Sequence, residues 1–291
     1  MRTARIKVDE TDTWYHCYNR VCGAKEWRPF RKLQKQVMVE ILKEVSELLG
    51  VKVVSYQIMS NHYHLLVQAP EKPLSPDEMC ERYKKYYKGF KTIEPDSEEC
   101  AAWCKRSRDV SWFMRLFQQK FTMWFNRNYK TRRRGKLWCD RYKHTILESG
   151  SALWNCWKYI ENNAVRAGLV KDAADYRFCS YGRWCQSGHH PFAMNVIQLL
   201  LKTFGCSEMA ELKELLRQGL GTEAPESTSK TGISTTVTRR VRYWTEGLVI
   251  GSERFVREVM APHYQRAETK RLARSAPGEE QVFAWRTFKT A

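Results

Sequence analysis

The chain has 291 residues and carries 50 Lys and Arg against 32 Asp and Glu, a net charge of +18 with a pI ≈ 9.5. With 43% hydrophobic and 13% aromatic residues it is not composed like a disordered chain, and a surplus of positive charge this large predicts a polyanionic partner, nucleic acid above all. No apolar run approaches the roughly 18 residues of a membrane span, and the first residues, MRTARIKVDETDTWYH, lack the apolar stretch of a secretory signal. The expectation is a cytoplasmic protein whose ten cysteines are reduced thiols. Cys100 and Cys104 are four apart, but no second pair follows at zinc-site spacing.

Trp14 to Arg20 (WYHCYNR) reads as a strand. Leu33, Val37, Ile41, Val45 and Leu48 recur at helical spacing over Arg31 to Leu49, and Gly50 stands where a helix-ending glycine would. Val51 to Met59 and His62 to Gln68 read as two strands joined by the Ser60-Asn61 turn, hence an antiparallel hairpin. A helix is expected from Pro76 to Tyr87, and Glu94 to Glu99 is an acidic, solvated stretch. Phe113, Phe117, Phe121 and Phe125 mark the core stripe of a long helix over Val110 to Asn128. Lys136 to Leu147 is extended or irregular, Ser151 is the expected N-cap of a helix running to about Asn163, Asp175 to Trp184 is compact and aromatic, and a further helix covers Ala193 to Arg217. Residues 219–238, rich in Gly, Ser, Thr and Pro, read as a linker between a main domain over 1–218 and a small, basic, helical region over 239–291, in which Gly247 and Gly251 mark bends. Strand, helix, tight hairpin and more helices predict an α+β fold, in its simplest form a ferredoxin-like antiparallel sheet with its packed helices on one face.

The charge is concentrated. Ala101 to Leu147 holds thirteen Lys or Arg against Asp109 and Asp140, a net of +11. Within it Arg127, Lys130, Arg132, Arg133, Arg134, Lys136, Arg141 and Lys143, interleaved with aromatic residues, form the candidate nucleic-acid track, since cations bind phosphates and exposed rings stack on unpaired bases.

His62 and His64 are two apart on a strand, so both imidazoles project from one face about 7 Å apart. Neutral imidazoles so placed can share a divalent metal. An isolated His-x-His is weak grounds for a site, and two ligands leave a metal site incomplete. The helix from Ser151 offers the missing groups: Tyr159 and Asn163 are four apart and share a helical face, with Cys156 on the same side. Tyr159 can act as a hydroxyl nucleophile and Asn163 as an oxygen ligand.

The hairpin QIMSNHYHLLV resembles the His-hydrophobic-His segment of the single-tyrosine HUH transposases, and the ordered set GKLWCDRYKHTIL, YIENNAVRAGLV and YRFCSYGRW resembles the REP-associated tyrosine transposases. WYHCYNR is similar to that family's first strand, so the resemblance spans roughly residues 10–185. Ala164 stands where the family usually has proline, and Tyr63 where it usually has a large apolar residue. The resemblance implies that His62, His64 and Asn163 bind Mg²⁺ or Mn²⁺, and that Tyr159 attacks a single-stranded or hairpin DNA to give a 5′-phosphotyrosine and a free 3′-OH, which reversal rejoins. It implies a DNA partner, no membrane and no small-molecule substrate, in a monomer or a homodimer of the prokaryotic nucleoid. The competing expectation is a non-catalytic binder of structured DNA or RNA. A third, a replication initiator or relaxase, would need accessory regions for which 291 residues leave little room.

Overall fold

The computed structural model describes residues 5–8, 11–24, 26–130, 132–192, 194–221, 244–245, 247–266, 273–274 and 283–286. β1 (Thr13–Arg20) leads through α1 (Lys32–Leu49) to β2 (Lys52–Ile58) and β3 (His62–Ala69). α1 ends as its sequence foretells: Gly50 adopts φ 69°, and its amide donates to the Ser46 carbonyl. β3 pairs antiparallel with both β2 and β1, so β1 and β2 run parallel with a strand between them, a split β-α-β unit. After α2 (Pro76–Tyr86), α3 (Glu98–Arg106) and α4 (Val110–Asn128), β4 (Lys143–Leu147) pairs antiparallel with β1 on its other side. The order β2-β3-β1-β4 is the expected ferredoxin-like, α+β arrangement. The acidic stretch is not simply solvated: Ser97 caps α3 by accepting from the Cys100 amide, and Glu98 and Glu99 sit in its first turn, where the helix dipole favours anions.

The helices occupy both faces of the sheet rather than one. α4 covers the face that carries Tyr63: Phe117 lies 5.3 Å from the Tyr63 ring, Gln118 donates to its hydroxyl at 2.8 Å, and the whole phenylalanine stripe is buried. α5 (Ser151–Glu161) covers the opposite face and is followed by α6 (Asn163–Arg166), α7 (Ser180–Ser187), α8 (Met194–Phe204) and α9 (Met209–Gly221). The sequence carried a sign of this, because β3 reads His-Tyr-His-Leu-Leu-Val without a solvent-facing alternation and is buried along nearly its whole length. Gly150, not Ser151, is the N-cap residue of α5, and the helix ends at Glu161 and breaks at Asn162, just before the expected end at about Asn163. The helix expected over Ala193 to Arg217 is divided at Gly205, with φ 69°.

The C-terminal region is not simply helical. Gly247–Gly251 is a fifth strand, β5, parallel to β4, and the two glycines are its ends rather than bends in a helical module. The intervening Leu-Val-Ile is a short apolar run, and Val249 and Ile250 are fully buried against the sheet. β6 (Ala273–Arg274) and β7 (Phe283–Arg286) extend the sheet to seven strands, and α10 (Glu253–Met260) is the one α-helix of the region with at least eight described residues. The Ser252 hydroxyl donates to the Glu148 carboxylate at 2.9 Å, tying this unit to the end of β4. Most of the expected linker, residues 222–238, and residues 239–243 lie outside the described residues; 219–221 finish α9.

α5 is fixed to the sheet by a buried carboxylate. Glu161 is fully buried and accepts from the Ser55 hydroxyl of β2 at 2.7 Å, from the Ser180 hydroxyl and from the Tyr181 amide at 3.2 Å. Replacing one member of such a set strands the others without water. Glu161→Leu is expected to lower the unfolding free energy by about 3 kcal/mol, read from urea denaturation; a loss below about 1 kcal/mol would show that the anchor does not hold the helix.

Candidate active site on the sheet face

Side chains alternate along a strand, so His16, Tyr18 and Arg20 of β1 share a face with His62 and His64 of β3 and Lys143 of β4. The register makes Tyr18 the direct neighbour of His64 on one side and of Lys143 on the other, and sets Arg20 opposite His62. α5 lays Tyr159 over this face. The Tyr159 ring is 5.5 Å from that of His64 and 5.9 Å from that of His16, edge-on to both. The His62 and His64 rings are 5.4 Å apart and nearly perpendicular. Asn163, the first residue of α6, hydrogen-bonds the His62 side chain. Tyr159, His62, His64 and Asn163 are therefore brought together, although the helical break at Asn162 means that Asn163 reaches the site from α6 and not from a continuous α5 face.

Three residues of the site were not singled out from the sequence. His16 is fully buried, with Nε2 2.9 Å from His64 Nδ1 and Nδ1 3.2 Å from the Trp244 carbonyl oxygen. Trp244 stacks its ring on Tyr159 at 5.8 Å. Arg166 places its guanidinium 4.3 Å above the Tyr159 ring and donates to the Tyr159 carbonyl. The alternation of WYHCYNR already put His16 on the face of Tyr18, but its meeting with His64 depends on the β1–β3 register, and Trp244 arrives from 85 residues beyond Tyr159.

Burial dominates the electrostatics. It pushes the Tyr159 phenol up to about 12; Arg166 pulls it down, and the Cys156 thiol adds to the rise. The cationic track does not lower it in this conformation. Burial also pushes His62 down to about 4, helped by Arg28, Lys35 and Arg20 and opposed by the Asn163 hydrogen bond. It pushes His16 down to about 4 and His64 well below its ordinary value, where His16 and His62 add to the effect. The imidazoles stay neutral at any ordinary pH, so loss of function near pH 6.5 through their protonation, as free histidines would give, is not expected.

The track lies beside this site. Leu137 accepts from the Cys22 amide at 2.8 Å and the Cys139 amide donates to Arg20 at 2.9 Å, so residues 137–139 run along the end of β1 that faces His62. Arg127, Lys130, Arg132, Arg134, Lys136, Arg141 and Lys143 are exposed. Arg133 is not a free cation: it donates to Asn126 Oδ1 at 3.1 Å and to the Lys136 carbonyl at 2.6 Å and lies 5.5 Å from the Trp27 ring. With Asn126, Arg127, Arg132 and Arg134 it bounds a shallow cavity of ≈ 380 Å³.

Fold and site together define a sheet-based α+β protein with a tyrosine packed over paired strand histidines. Residues 11–90 match the family model described as Transposase IS200 like, so the resemblance seen in the motifs holds over β1 to α2. Among solved structures, the chain is similar to a REP-associated tyrosine transposase bound to a REP hairpin, with 16% identity over 67% of this chain and 93% of that one and a TM-score of 0.43. It is also similar to a Deinococcus radiodurans R1 protein classed as a transposase, with 17% identity over 56% of this chain and 97% of that one and a TM-score of 0.30. No curated protein matches it in sequence. No helix among the described residues is long and apolar enough to cross a membrane.

The buried imidazoles predict acid lability. His16, His62, His144 and His190 are held at about 4 by burial, and burial holds His64 well below its ordinary value. In the unfolded chain each takes up its proton near pH 6.5. Their contribution is thus fully present above pH 6.5 and is lost as the pH falls from there toward 4. At pH 5 unfolding is expected to take up about four to five protons through these groups, measurable from the pH dependence of urea unfolding between pH 7 and 4.5. A flat profile would contradict the burial of the histidines.

Proposed function

We propose that the chain cleaves and rejoins single-stranded or hairpin DNA through Tyr159. The observation that carries the reading is the convergence of Tyr159, His62, His64 and Asn163, from segments about a hundred residues apart, on one sheet face beside a cationic track. The Tyr159 oxygen would attack the scissile phosphorus. The new bond joins the 5′-phosphate end of the downstream strand to tyrosine as a phosphodiester, and the departing 3′ oxygen of the upstream strand takes the electron pair of the broken P–O bond and a proton. Attack by a different 3′-OH runs the step backward and joins new ends without hydrolysis.

The residues present suit a divalent ion. The imidazoles are neutral, Asn163 offers an amide, and the Gln57 side-chain oxygen, in the cross-strand row of His64, is a buried acceptor without a partner among the described residues. His62, His64 and Asn163 would hold Mg²⁺ or Mn²⁺, which when bound supplies Lewis-acid charge to a phosphate oxygen. Tyr159 must shed both a proton and its cover. Arg166 is the cation placed to favour the phenolate, and the Trp244 ring must give way for a phosphate to reach the hydroxyl of a residue that is 5% exposed. Tyr159 packs on the histidines of its own chain, so a single chain holds every group named here. The alternative of a non-catalytic DNA or RNA binder draws on the same burial, because a relic tyrosine needs no access.

Wild type and Tyr159→Phe are incubated with single-stranded hairpin oligonucleotides and Mn²⁺. A covalent adduct stable to denaturing electrophoresis is expected from the wild type alone. An adduct that persists in Tyr159→Phe refutes the assignment, and no adduct from the wild type with any hairpin supports the binder. A second expectation concerns the track: Arg132→Gln, Arg134→Gln and Lys136→Gln together should flatten the slope of log affinity against log salt by about 2. An unchanged slope would place the DNA path elsewhere.

A further inference from the structure

The chain of hydrogen bonds behind His64 fixes where its proton sits. The Trp244 carbonyl oxygen has no proton to give, so His16 Nδ1, 3.2 Å away, must donate to it. A neutral imidazole that carries its proton on Nδ1 presents a bare lone pair at Nε2. His16 Nε2 lies 2.9 Å from His64 Nδ1, so His64 must donate there and hold its own proton on Nδ1. His64 Nε2 is then the bare nitrogen. His62 holds its proton on Nδ1 by a shorter route: that atom is 2.7 Å from the Asn61 side-chain oxygen, an acceptor, and the Asn163 side chain is the other group hydrogen-bonded to the ring.

We propose that His16 is the positioning residue of the site: through a relay from the Trp244 carbonyl it holds His64 in the Nδ1–H tautomer and turns an unprotonated Nε2 toward the space shared with His62. Free imidazole prefers the opposite tautomer, with the proton on Nε2, which would point a donor at any electrophile. The relay matters because a nitrogen that already carries a proton can neither bind a cation nor accept a proton from a reacting group. The His16 ring is fully buried, edge to edge with His64 with planes 19° apart, and beside Tyr18 with planes 24° apart. The groups that face His16 are His64, Tyr18, Tyr159 and the Trp244 carbonyl; Thr145 of β4, its cross-strand neighbour, spends its hydroxyl on the Gly247 carbonyl at 2.7 Å. Nothing near His16 other than His64 donates to Nε2 among the described residues. Both ends of the relay thus come from parts of the chain far from the histidine pair, β1 and the start of the C-terminal unit, and the tautomer is correct only when that unit is docked.

The value of this tautomer for metal binding rests on the function proposed above; the tautomer itself does not. The test is made on the full chain without metal, labelled with ¹⁵N-histidine, where long-range ¹⁵N–¹H correlations distinguish the protonated from the bare ring nitrogen and the His64 signals are assigned by their disappearance in His64→Gln. The wild type is expected to show His64 protonated on Nδ1. His16→Leu, which removes the acceptor, is expected to release His64 into a tautomer mixture or the Nε2–H form, while His16→Gln, whose side-chain oxygen can take the place of Nε2, is expected to keep it. Wild-type His64 bare at Nδ1 would overturn the relay, as would an unchanged tautomer in folded His16→Leu. The wild-type spectrum and His16→Gln decide the matter even where His16→Leu does not fold. In a parallel Mn²⁺ titration His16→Leu is expected to bind about 10–100-fold more weakly than wild type, and His16→Gln to recover most of the loss. Wild-type protein that binds no Mn²⁺ while His64 holds the Nδ1–H tautomer would defeat the metal reading and uphold the relay.

Discussion

The site depends on one buried hydrogen bond, from His64 Nδ1 to His16 Nε2. Polar groups withdrawn from water must find partners within the protein, and a sheet covered on both faces offers few. β1 and β3 solve this by pairing so that the imidazole of one strand meets that of the other, with the end of the relay taken up by the Trp244 carbonyl. Removing any member would leave an unsatisfied group beneath α5. The same seal that makes the bond necessary keeps the imidazoles neutral, which is the state in which they can act as ligands or bases.

Sealing has a cost for the proposed nucleophile. Desolvation outweighs the guanidinium 4.3 Å from the Tyr159 ring, so the phenol is harder to ionise here than in water. A tyrosine so placed is at rest. α5 is fixed by the buried Glu161 set, while Trp244 is itself buried, stacks on Tyr159 and accepts at its carbonyl from His16 and Thr145, and the Thr245 carbonyl accepts from Tyr18. Uncovering Tyr159 by way of Trp244 would free the stacked face of its ring. It would also loosen the relay behind His64, so exposure of the nucleophile and the state of the histidines are coupled through the same segment.

Much of this was legible in the residues. Alternation along His62-Tyr63-His64 put two imidazoles on one face and Tyr63 in the opposite core, where Phe117 and Gln118 meet it. The phenylalanine stripe, Gly50 and the Ser60-Asn61 turn each carry local signals that local structure obeys. What was not legible is non-local. His16 sits in an ordinary-looking strand until the register with β3 is known. Arg166 follows a helix break that a 3.6-residue period does not reveal. Val249 and Ile250 form so short an apolar run that helix and strand patterns fit equally, and only the open edge of β4 decides between them.

The positive surplus resolves into a located feature. Of the seven exposed cations of the track, five (Lys130, Arg132, Arg134, Lys136 and Arg141) lie on the segment between α4 and β4 that borders the His62 end of the sheet, while Arg133 is spent on holding that segment together. A strand guided along it would arrive at the tyrosine over the histidine pair. The most direct test is to digest the DNA-linked protein with protease and nuclease and find the nucleotide-bearing peptide by mass spectrometry. The account predicts a nucleotide attached through phosphate to Tyr159; attachment at another tyrosine, such as Tyr18, Tyr129 or Tyr142, would contradict it.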